Sequence, residues 1–250
     1  MPGREALSQK PRSLVVRTGI TRLPRLTPGR RALRAIVRWL ARLVTFLFTR
    51  TSVTGLDNLP RQGPALLVFN HLGDADLVVW AAYTPLIVEA LGKVELYDFP
   101  LLGRLLDAYG TIWVHRGQPD RGALRAVFEG FKEGRMVAIA PEGRESVTGS
   151  LEEGTGGAAY LALKAGVPVV PVTFTGTENW RIYGNLKGFR RTEVTVTVGA
   201  PFRLPPLPDR RTAVERGTET IMRTLAEQLP VEYRGKYQLE IEDDSASSRQ

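Results

Sequence analysis

The sequence predicts an α/β fold in which a mixed, largely parallel sheet is flanked by helices. Three observations predict it. Short apolar segments of strand length alternate with amphipathic segments of helical period. The 250 residues, of which 43% are hydrophobic, suffice for one packed domain with or without an appendage. The absence of cysteine excludes a disulfide scaffold, a cysteine zinc site and a thiol nucleophile.

Charge is distributed unevenly along the chain. The first fifty residues hold twelve basic side chains and one acidic one, which exceeds the net charge of +8 of the whole protein, so the rest is net acidic. A basic N-terminal region predicts an anionic partner, either nucleic acid or anionic lipid. The body lacks a stripe of basic residues interleaved with aromatic ones, so we expect a membrane lipid and no nucleic acid.

The N-terminal region divides into a basic arm at 1–30, expected to be disordered, and an amphipathic helix at 31–50. Its apolar side chains share one wide face, and Arg31, Arg34, Arg38 and Arg42 form a narrow stripe opposite. The arginines interrupt every window long enough to span a bilayer, and the N-terminus shows no signal-peptide core. This pattern favours a helix in the membrane interface, and the alternative is a helix that docks on the domain core.

The body of the domain is predicted at 51–232, followed by an acidic tail at 233–250 that we expect to be disordered. Strands are predicted at 64–69, 111–115, 136–140, 167–174 and 192–199, and helices at 76–83, 119–134, 156–166 and 209–229. Pro168 and Pro171 predict that the segment 167–174 is an edge strand or pairs irregularly.

Polar residues follow three of the predicted strands at once. Asn70 and His71 follow the first, His115 and Arg116 the second, and the segment 141–144, Pro-Glu-Gly-Arg, the third. If these strands are parallel, their carboxyl ends lie at one edge of the sheet and the three clusters share a cleft.

His71 and Asp76 could act together as a general base and the carboxylate that orients it. A neutral imidazole accepts a proton at pH 7, and a carboxylate on its other nitrogen fixes the tautomer. Without a cysteine or a G-x-S-x-G elbow, the base would activate a hydroxyl of the substrate. The alternative is a pair that caps a turn. Arg116 is a residue type that binds phosphate, and Gly143 lets a backbone approach a ligand.

Four blocks in order resemble the PlsC-like glycerolipid acyltransferases, the 1-acylglycerol-3-phosphate acyltransferase family. The blocks are Asn70-His71-x4-Asp76, "GTIWVHR" ending at Arg116, the Pro-Glu-Gly at 141–143, and the apolar "VPVVPV" at 167–172. Lys93 lies in a segment between the first two blocks that is also similar to the family. The resemblance covers about 55 to 175.

The resemblance implies an O-acyltransferase of phospholipid biosynthesis. It implies His71 as general base, Asp76 as the residue that orients it, and a substrate-binding set of Asn70, Lys93, Arg116, Glu142, Gly143 and Arg144. The acyl donor would be acyl-CoA or acyl carrier protein, with no metal and no other cofactor. The acceptor would be a lysophospholipid, most simply 1-acylglycerol-3-phosphate, and the enzyme would lie peripherally on the cytoplasmic face of the membrane.

The third block departs from the family pattern. The chain reads "APEGRES" where the family has "FPEGTRS", so Arg144 comes one position early and Glu145 occupies the usual place of the arginine. The segment "LEEG" at 151–154 replaces a basic "FKxG". Two alternatives therefore stay open. In the first, the enzyme uses another acceptor, which is a different lysolipid or another hydroxyl or amine compound. In the second, the protein keeps this fold and binds lipid but has lost catalysis.

Overall fold

The computed structural model describes residues 19–84, 86–115 and 120–238. Within them, seven strands form one sheet in the order β1-β7-β6-β2-β5-β3-β4. The strands are β1 (Thr49–Thr54), β2 (Ala65–Phe69), β3 (Val88–Lys93), β4 (Ile112–Val114), β5 (Met136–Ile139), β6 (Val169–Thr175) and β7 (Thr192–Val198). Every neighbouring pair is parallel except β6 and β7, which are antiparallel, so the mixed, largely parallel sheet is confirmed.

The helices cover both faces of this sheet because alternate residues of a strand point to opposite faces. In β2, Leu66 and Val68 enter one apolar cluster, whereas Ala65 and Leu67 enter the other. The helices are α1 (Pro28–Phe48), α2 (Ala75–Tyr83), α3 (Leu102–Tyr109), α4 (Arg121–Lys132), α5 (Gly157–Ala165), α6 (Asn179–Lys187) and α7 (Arg210–Gln228). The first cluster lies under α4, α5 and α7, and the second lies under α2 and α6.

The prediction for segment 167–174 was wrong in one respect, because β6 lies inside the sheet. It pairs with β2 on one side and with β7 on the other. Pro171 is tolerated because it lies where the pairing of β6 with β7 begins. The paired residues start at Val172, and the Pro171 carbonyl accepts from Gly199 N at 2.8 Å. The missing N–H therefore removes a bond at the end of a ladder and not in its middle.

Helix α1 docks on the domain through its arginines and exposes its apolar face. Thr27 caps its N-terminus through Oγ1, which accepts from Arg30 N at 3.2 Å, and Pro28 occupies the first turn. Arg34 is buried against Glu89, and Arg42 Nε donates to Ala82 O at the end of α2. The opposite face is exposed and carries Ile36, Trp39, Leu40, Leu43, Val44, Phe46, Leu47 and Phe48. No helix among residues 19–84, 86–115 and 120–238 is long and apolar enough to cross a bilayer.

The packed chain extends beyond the boundary predicted at 232. Tyr233 and Tyr237 are buried in the first apolar cluster, and Leu151 N donates to Tyr233 O at 2.9 Å. Residues 233–238 are therefore part of the domain, because two aromatic rings anchor them to it. The remainder of the predicted tail, like the arm before residue 19, lies outside the described residues.

Candidate active site

Four neighbouring strands deliver the predicted site to one edge of the sheet. Strands β2, β5, β3 and β4 are mutually parallel, so their carboxyl ends point the same way. His71 follows β2, Glu142 follows β5, Lys93 ends β3, and His115 follows β4. The arrangement expected from the sequence is thus present, and ligand sites of open parallel sheets lie at this edge.

His71 and Asp76 form a hydrogen-bonded pair on the turn that joins β2 to α2. The His71 Nδ1 atom lies 2.8 Å from Asp76 Oδ2, and Asp76 is fully buried in the first turn of α2. The same carboxylate oxygen accepts from Leu72 N at 2.8 Å and Gly73 N at 3.1 Å. With Nδ1 directed at a carboxylate, a neutral imidazole keeps Nε2 as its proton acceptor. His71 itself is partly exposed, so a substrate can reach it.

Asn70 holds the His71 turn and does not face the cleft. Its Nδ2 donates to Phe174 O at 2.9 Å, and its Oδ1 accepts from Phe174 N at 2.8 Å, so the amide continues the pairing of β2 with β6. The side chain is 1% exposed. This geometry corrects the substrate-binding role expected for Asn70: the residue positions its neighbour.

Glu142 is a buried carboxylate that follows β5, close to the turn that carries His71. It is 5% exposed, and Oε2 accepts from Glu152 N at 2.8 Å. Oε1 has no hydrogen-bond partner among the described residues. Burial raises the pKa of Glu142 to about 7, although the backbone donors and the nearby His71 favour its charged form. Glu142 therefore ties the loop after β5 to the "LEEG" segment at 151–154.

The rest of the third block brings a cation and two carboxylates near the cleft. Gly143 has a φ of +73°, a left-handed conformation that suits glycine, at the turn after β5. Arg144 Nε donates to Glu152 Oε2 at 2.9 Å, so the arginine pairs with the "LEEG" segment, and its side chain is largely exposed. Glu145 lies close enough to His71 and Lys93 to feel their charges, and burial raises its pKa.

Arg116, the predicted phosphate-binding residue of the second block, lies outside the described residues. Its neighbour His115 lies in a second histidine–aspartate pair, with Nδ1 2.8 Å from Asp120 Oδ2. Asp120 also caps α4 by accepting from Ala123 N at 2.9 Å. The spacing of four intervening residues repeats that of His71 and Asp76, and this repeat was a signal in the sequence that could have predicted the pair.

Helix α6 supplies two residues that the sequence analysis missed. Asn179 Nδ2 donates to Glu145 Oε1 at 2.8 Å, and its Oδ1 accepts from Asp74 N at 3.0 Å. Tyr183 Oη donates to Asp74 Oδ2 at 3.0 Å. These bonds tie α6 to the turn that carries His71, and nothing local in the sequence indicates them because the partners are far apart in the chain.

A cavity of about 1080 Å³ opens beside the site between α4, α5 and α7. Glu142, Gly143 and Arg144 form part of its wall, and His115 lies on another side. The rest of the lining combines polar side chains, among them Asp120, Arg210 and Arg211, with an aliphatic wall formed by Leu91, Val114, Leu124, Val127, Ile139 and Leu161. Its volume and apolar walls fit a long hydrocarbon chain.

Residues 50–175 match the sequence profile of the family described as Acyltransferase. This chain belongs to that family. The matched region contains all but the first residue of β1, strands β2 to β6, and every predicted site residue, including His71 and Asp76. The four blocks that resemble the PlsC-like enzymes thus lie inside the family's own domain.

The chain is also similar to named members of the family. It is 36% identical over 138 residues to a lyso-ornithine lipid O-acyltransferase of Pseudomonas aeruginosa, a match that covers 55% of this chain and 52% of the relative. It is 30% identical over 157 residues to a 1-acyl-sn-glycerol-3-phosphate acyltransferase of Borreliella burgdorferi, covering 61% of this chain and 59% of the relative. The chain thus spans about half the length of the curated relatives that it matches.

The crystal structure of the 1-acyl-sn-glycerophosphate acyltransferase PlsC from Thermotoga maritima has the same fold. The two chains are 22% identical, the TM-score is 0.62, and the match covers 79% of this chain and 80% of that one. The likeness supports the architecture of the sheet and its flanking helices.

Proposed function

We propose that this protein is an acyltransferase that moves a fatty acyl group from a thioester to the hydroxyl of a lysolipid. The observation that carries the proposal is the His71–Asp76 pair, 2.8 Å apart at the carboxyl end of β2, within a domain of the acyltransferase family. The relatives named for lysolipid acylation support the same reaction class.

His71 Nε2 removes the proton of the acceptor hydroxyl as its oxygen attacks the carbonyl carbon of the thioester. Asp76 stabilises the imidazolium that forms, because its carboxylate accepts from Nδ1. The new C–O bond completes the ester, the C–S bond breaks, and the thiolate leaves with the proton that His71 held. Acyl-CoA or acyl carrier protein would supply the thioester, and this chemistry uses no metal or prosthetic group.

The acceptor is held beside His71 by the remaining site residues. The first candidate is 1-acylglycerol-3-phosphate, with Lys93, Arg116 and the Glu142–Arg144 loop near its phosphate and phosphatidic acid as the product in phospholipid biosynthesis. The aliphatic cavity beside Glu142 has room for an acyl chain of one of the substrates.

A second candidate acceptor is favoured by the pairing of Arg144. This arginine is bonded to Glu152, and Glu145 lies near His71 where the family has a cation. The loop 142–145 therefore offers phosphate fewer free cations than the family pattern does, and charge-assisted bonds to Arg are the usual basis of phosphate recognition. A lysolipid without a phosphate, such as the lyso-ornithine lipid named for one relative, fits this charge pattern.

Helix α1 would hold the enzyme on the cytoplasmic face of a membrane as a peripheral protein. Arg34, Arg38 and Arg42 contact the domain and leave an exposed arc. This arc includes Trp39 and Phe46, which are 63% and 68% exposed. Exposure of such an apolar arc to water is energetically unfavourable, whereas the interface of a bilayer accommodates it. The lysolipid acceptor lies in the bilayer, so an enzyme at this position meets it there.

The proposal is tested by acyl transfer with purified protein in detergent. Labelled acyl-CoA and acyl carrier protein are offered with 1-acylglycerol-3-phosphate, lyso-ornithine lipid and lysophosphatidylcholine, and Asp76→Asn serves as the control. We expect wild type to acylate at least one acceptor and the variant to lose roughly 10²-fold or more in kcat, since Asn cannot stabilise the imidazolium. A folded wild-type protein that acylates none of them would favour a lipid-binding protein without catalysis.

A further inference from the structure

Helix α6 and the turn after it expose several large apolar and aromatic side chains. Trp180, Tyr183, Leu186 and Phe189 recur at intervals of three along α6 and its C-terminal turn. Trp180 is 70% exposed and Phe189 is completely exposed. Aromatic side chains with this exposure are frequent at membrane interfaces and uncommon on surfaces that face only water.

Phe189 adopts a backbone conformation that is unfavourable for its type. Its φ is +51°, in the left-handed region, at the position just after α6 where helices usually place glycine. The turn is closed by Arg190 N, which donates to Asn185 O at 2.8 Å. The chain places its glycine one position earlier, at 188. A strained and fully exposed phenylalanine gains nothing from the protein interior, which indicates a role outside the domain.

The C-terminal end of α6 is joined to the end of α1. Arg191 Nε donates to Thr49 O at 2.9 Å, and its guanidinium lies 5.6 Å from the centre of the Phe46 ring. The exposed face of α1 therefore continues onto the turn that carries Phe189. Lys187, Arg190 and Arg191 surround this turn with positive charge.

The other end of α6 is joined to the candidate active site. Asn179 and Tyr183 both bond to Asp74, three residues after His71. Helix α6 thus runs from the turn of the proposed general base to the end of α1, on the same side of the sheet as α2. A flat surface that contacted α1 and α6 together would lie next to His71.

We propose that α6 and the turn at 188–191 form a second contact with an anionic lipid bilayer, which acts together with α1. This inference rests on the proposed function and adds the element that orients the enzyme on the membrane. Trp180 and Phe189 enter the interface, and the three cations contact lipid head groups. With two contacts instead of one, the enzyme cannot rotate about α1, and His71 stays at the level where the acceptor hydroxyl lies.

The proposal is tested by a dye placed on α6, which the absence of cysteine allows without further changes. Full-length Leu186→Cys and, as the control, Arg216→Cys on α7 are labelled with an environment-sensitive fluorophore. Vesicles contain phosphatidylcholine with phosphatidylglycerol. We expect a blue shift and brighter emission from position 186 on vesicles and no change from position 216, since α7 packs on the other face of the sheet.

Bound protein with an unchanged signal at position 186 would overturn the proposal, and so would a failure to bind vesicles at all. A signal that changes with protein concentration in the absence of vesicles would also overturn it and would indicate a second copy on this face. Acyl transfer in detergent is measured in parallel. Loss of acyl transfer would refute the proposed function. Retained acyl transfer with unchanged fluorescence at position 186 would refute only the second membrane contact.

Phe189→Gly separates membrane binding from stability. Glycine relieves the left-handed strain, so we expect thermal stability to be equal or higher, while binding to these vesicles weakens about tenfold because an aromatic side chain no longer enters the interface.

The double variant Lys187→Gln with Arg190→Gln should weaken vesicle binding more at low salt than at high salt. The control, Arg211→Gln with Arg216→Gln on α7, should leave vesicle binding unchanged. Unchanged affinity in Phe189→Gly and in the α6 charge variant would contradict the inference.

Discussion

The Arg34 guanidinium donates to both carboxylate oxygens of Glu89, at 3.2 and 2.7 Å, and both side chains are buried. This pair connects α1 to β3 across 55 residues of sequence. It explains how a helix with a wide apolar arc can turn that arc away from the domain, because the polar stripe carries the contacts with the protein.

Arg34→Ala should destabilise the protein by about 3 kcal/mol, because it leaves the buried Glu89 carboxylate with Arg135 as its one remaining charged partner among the described residues. Arg31→Ala, an exposed position on the same helix, should change stability by less than about 0.5 kcal/mol. Urea unfolding followed by circular dichroism measures both. Equal midpoints for the two variants would show that the buried pair does not hold α1.

Glu142→Gln should change how stability depends on pH. Burial raises the pKa of Glu142 from its ordinary value near 4.5 to about 7. Between these values the folded protein keeps a proton that the unfolded chain has released, so the free energy of unfolding falls as the pH rises and levels off above about 7. Glutamine stays neutral and still accepts from Glu152 N. The fall in stability between pH 4.5 and 8 should therefore be smaller in the variant by about 3 kcal/mol.

Glu153→Gln is the control for this comparison, because Glu153 is exposed. Urea unfolding at pH 4.5, 6 and 8 should give this variant the same pH dependence as wild type. If Glu142→Gln also follows wild type, then Glu142 is not the buried group that titrates.

Glu145→Arg should shift acceptor choice toward phosphate. The arginine would restore a cation beside His71 in a loop whose own Arg144 is paired with Glu152. We expect kcat/KM for 1-acylglycerol-3-phosphate to rise about tenfold relative to that for a lysolipid without a phosphate. Glu145→Gln keeps a partner for Asn179 and should give a smaller shift. A ratio that stays constant in both variants would show that Glu145 does not face the acceptor.

The strands and their ends could be predicted from the sequence because the signals are local. The run from Ala65 to Phe69 is apolar and ends directly in polar residues, and "MVAI" at 136–139 is followed by Ala-Pro and then Glu142. Both strands therefore follow from composition. The alternation of Thr192–Val198 likewise predicts a strand with one exposed face. Strand β3 was missed because "VEALGK" lacks a β-branched run.

What depends on distant partners could not be predicted. The periodicity of α1 defines two faces, but contacts with distant segments determine that the arginine face meets the domain, among them those with Glu89 in β3 and Ala82 in α2. The pairing of Asn70 with Phe174 and of Asn179 with Glu145 joins residues more than thirty positions apart, and no pattern in either segment indicates it. Glu152 was noted as a missing cation, whereas its role as the partner of Arg144 required the structure.

The most direct test of the account compares His71→Ala with His115→Ala in the acyl-transfer assay. The two histidines have the same contact, Nδ1 2.8 Å from an aspartate oxygen, but only His71 is proposed to accept the proton of the acceptor. Circular dichroism should confirm that both variants fold. We expect kcat to fall roughly 10³-fold in His71→Ala and to stay within about tenfold of wild type in His115→Ala. Activity retained in His71→Ala would contradict the proposed mechanism.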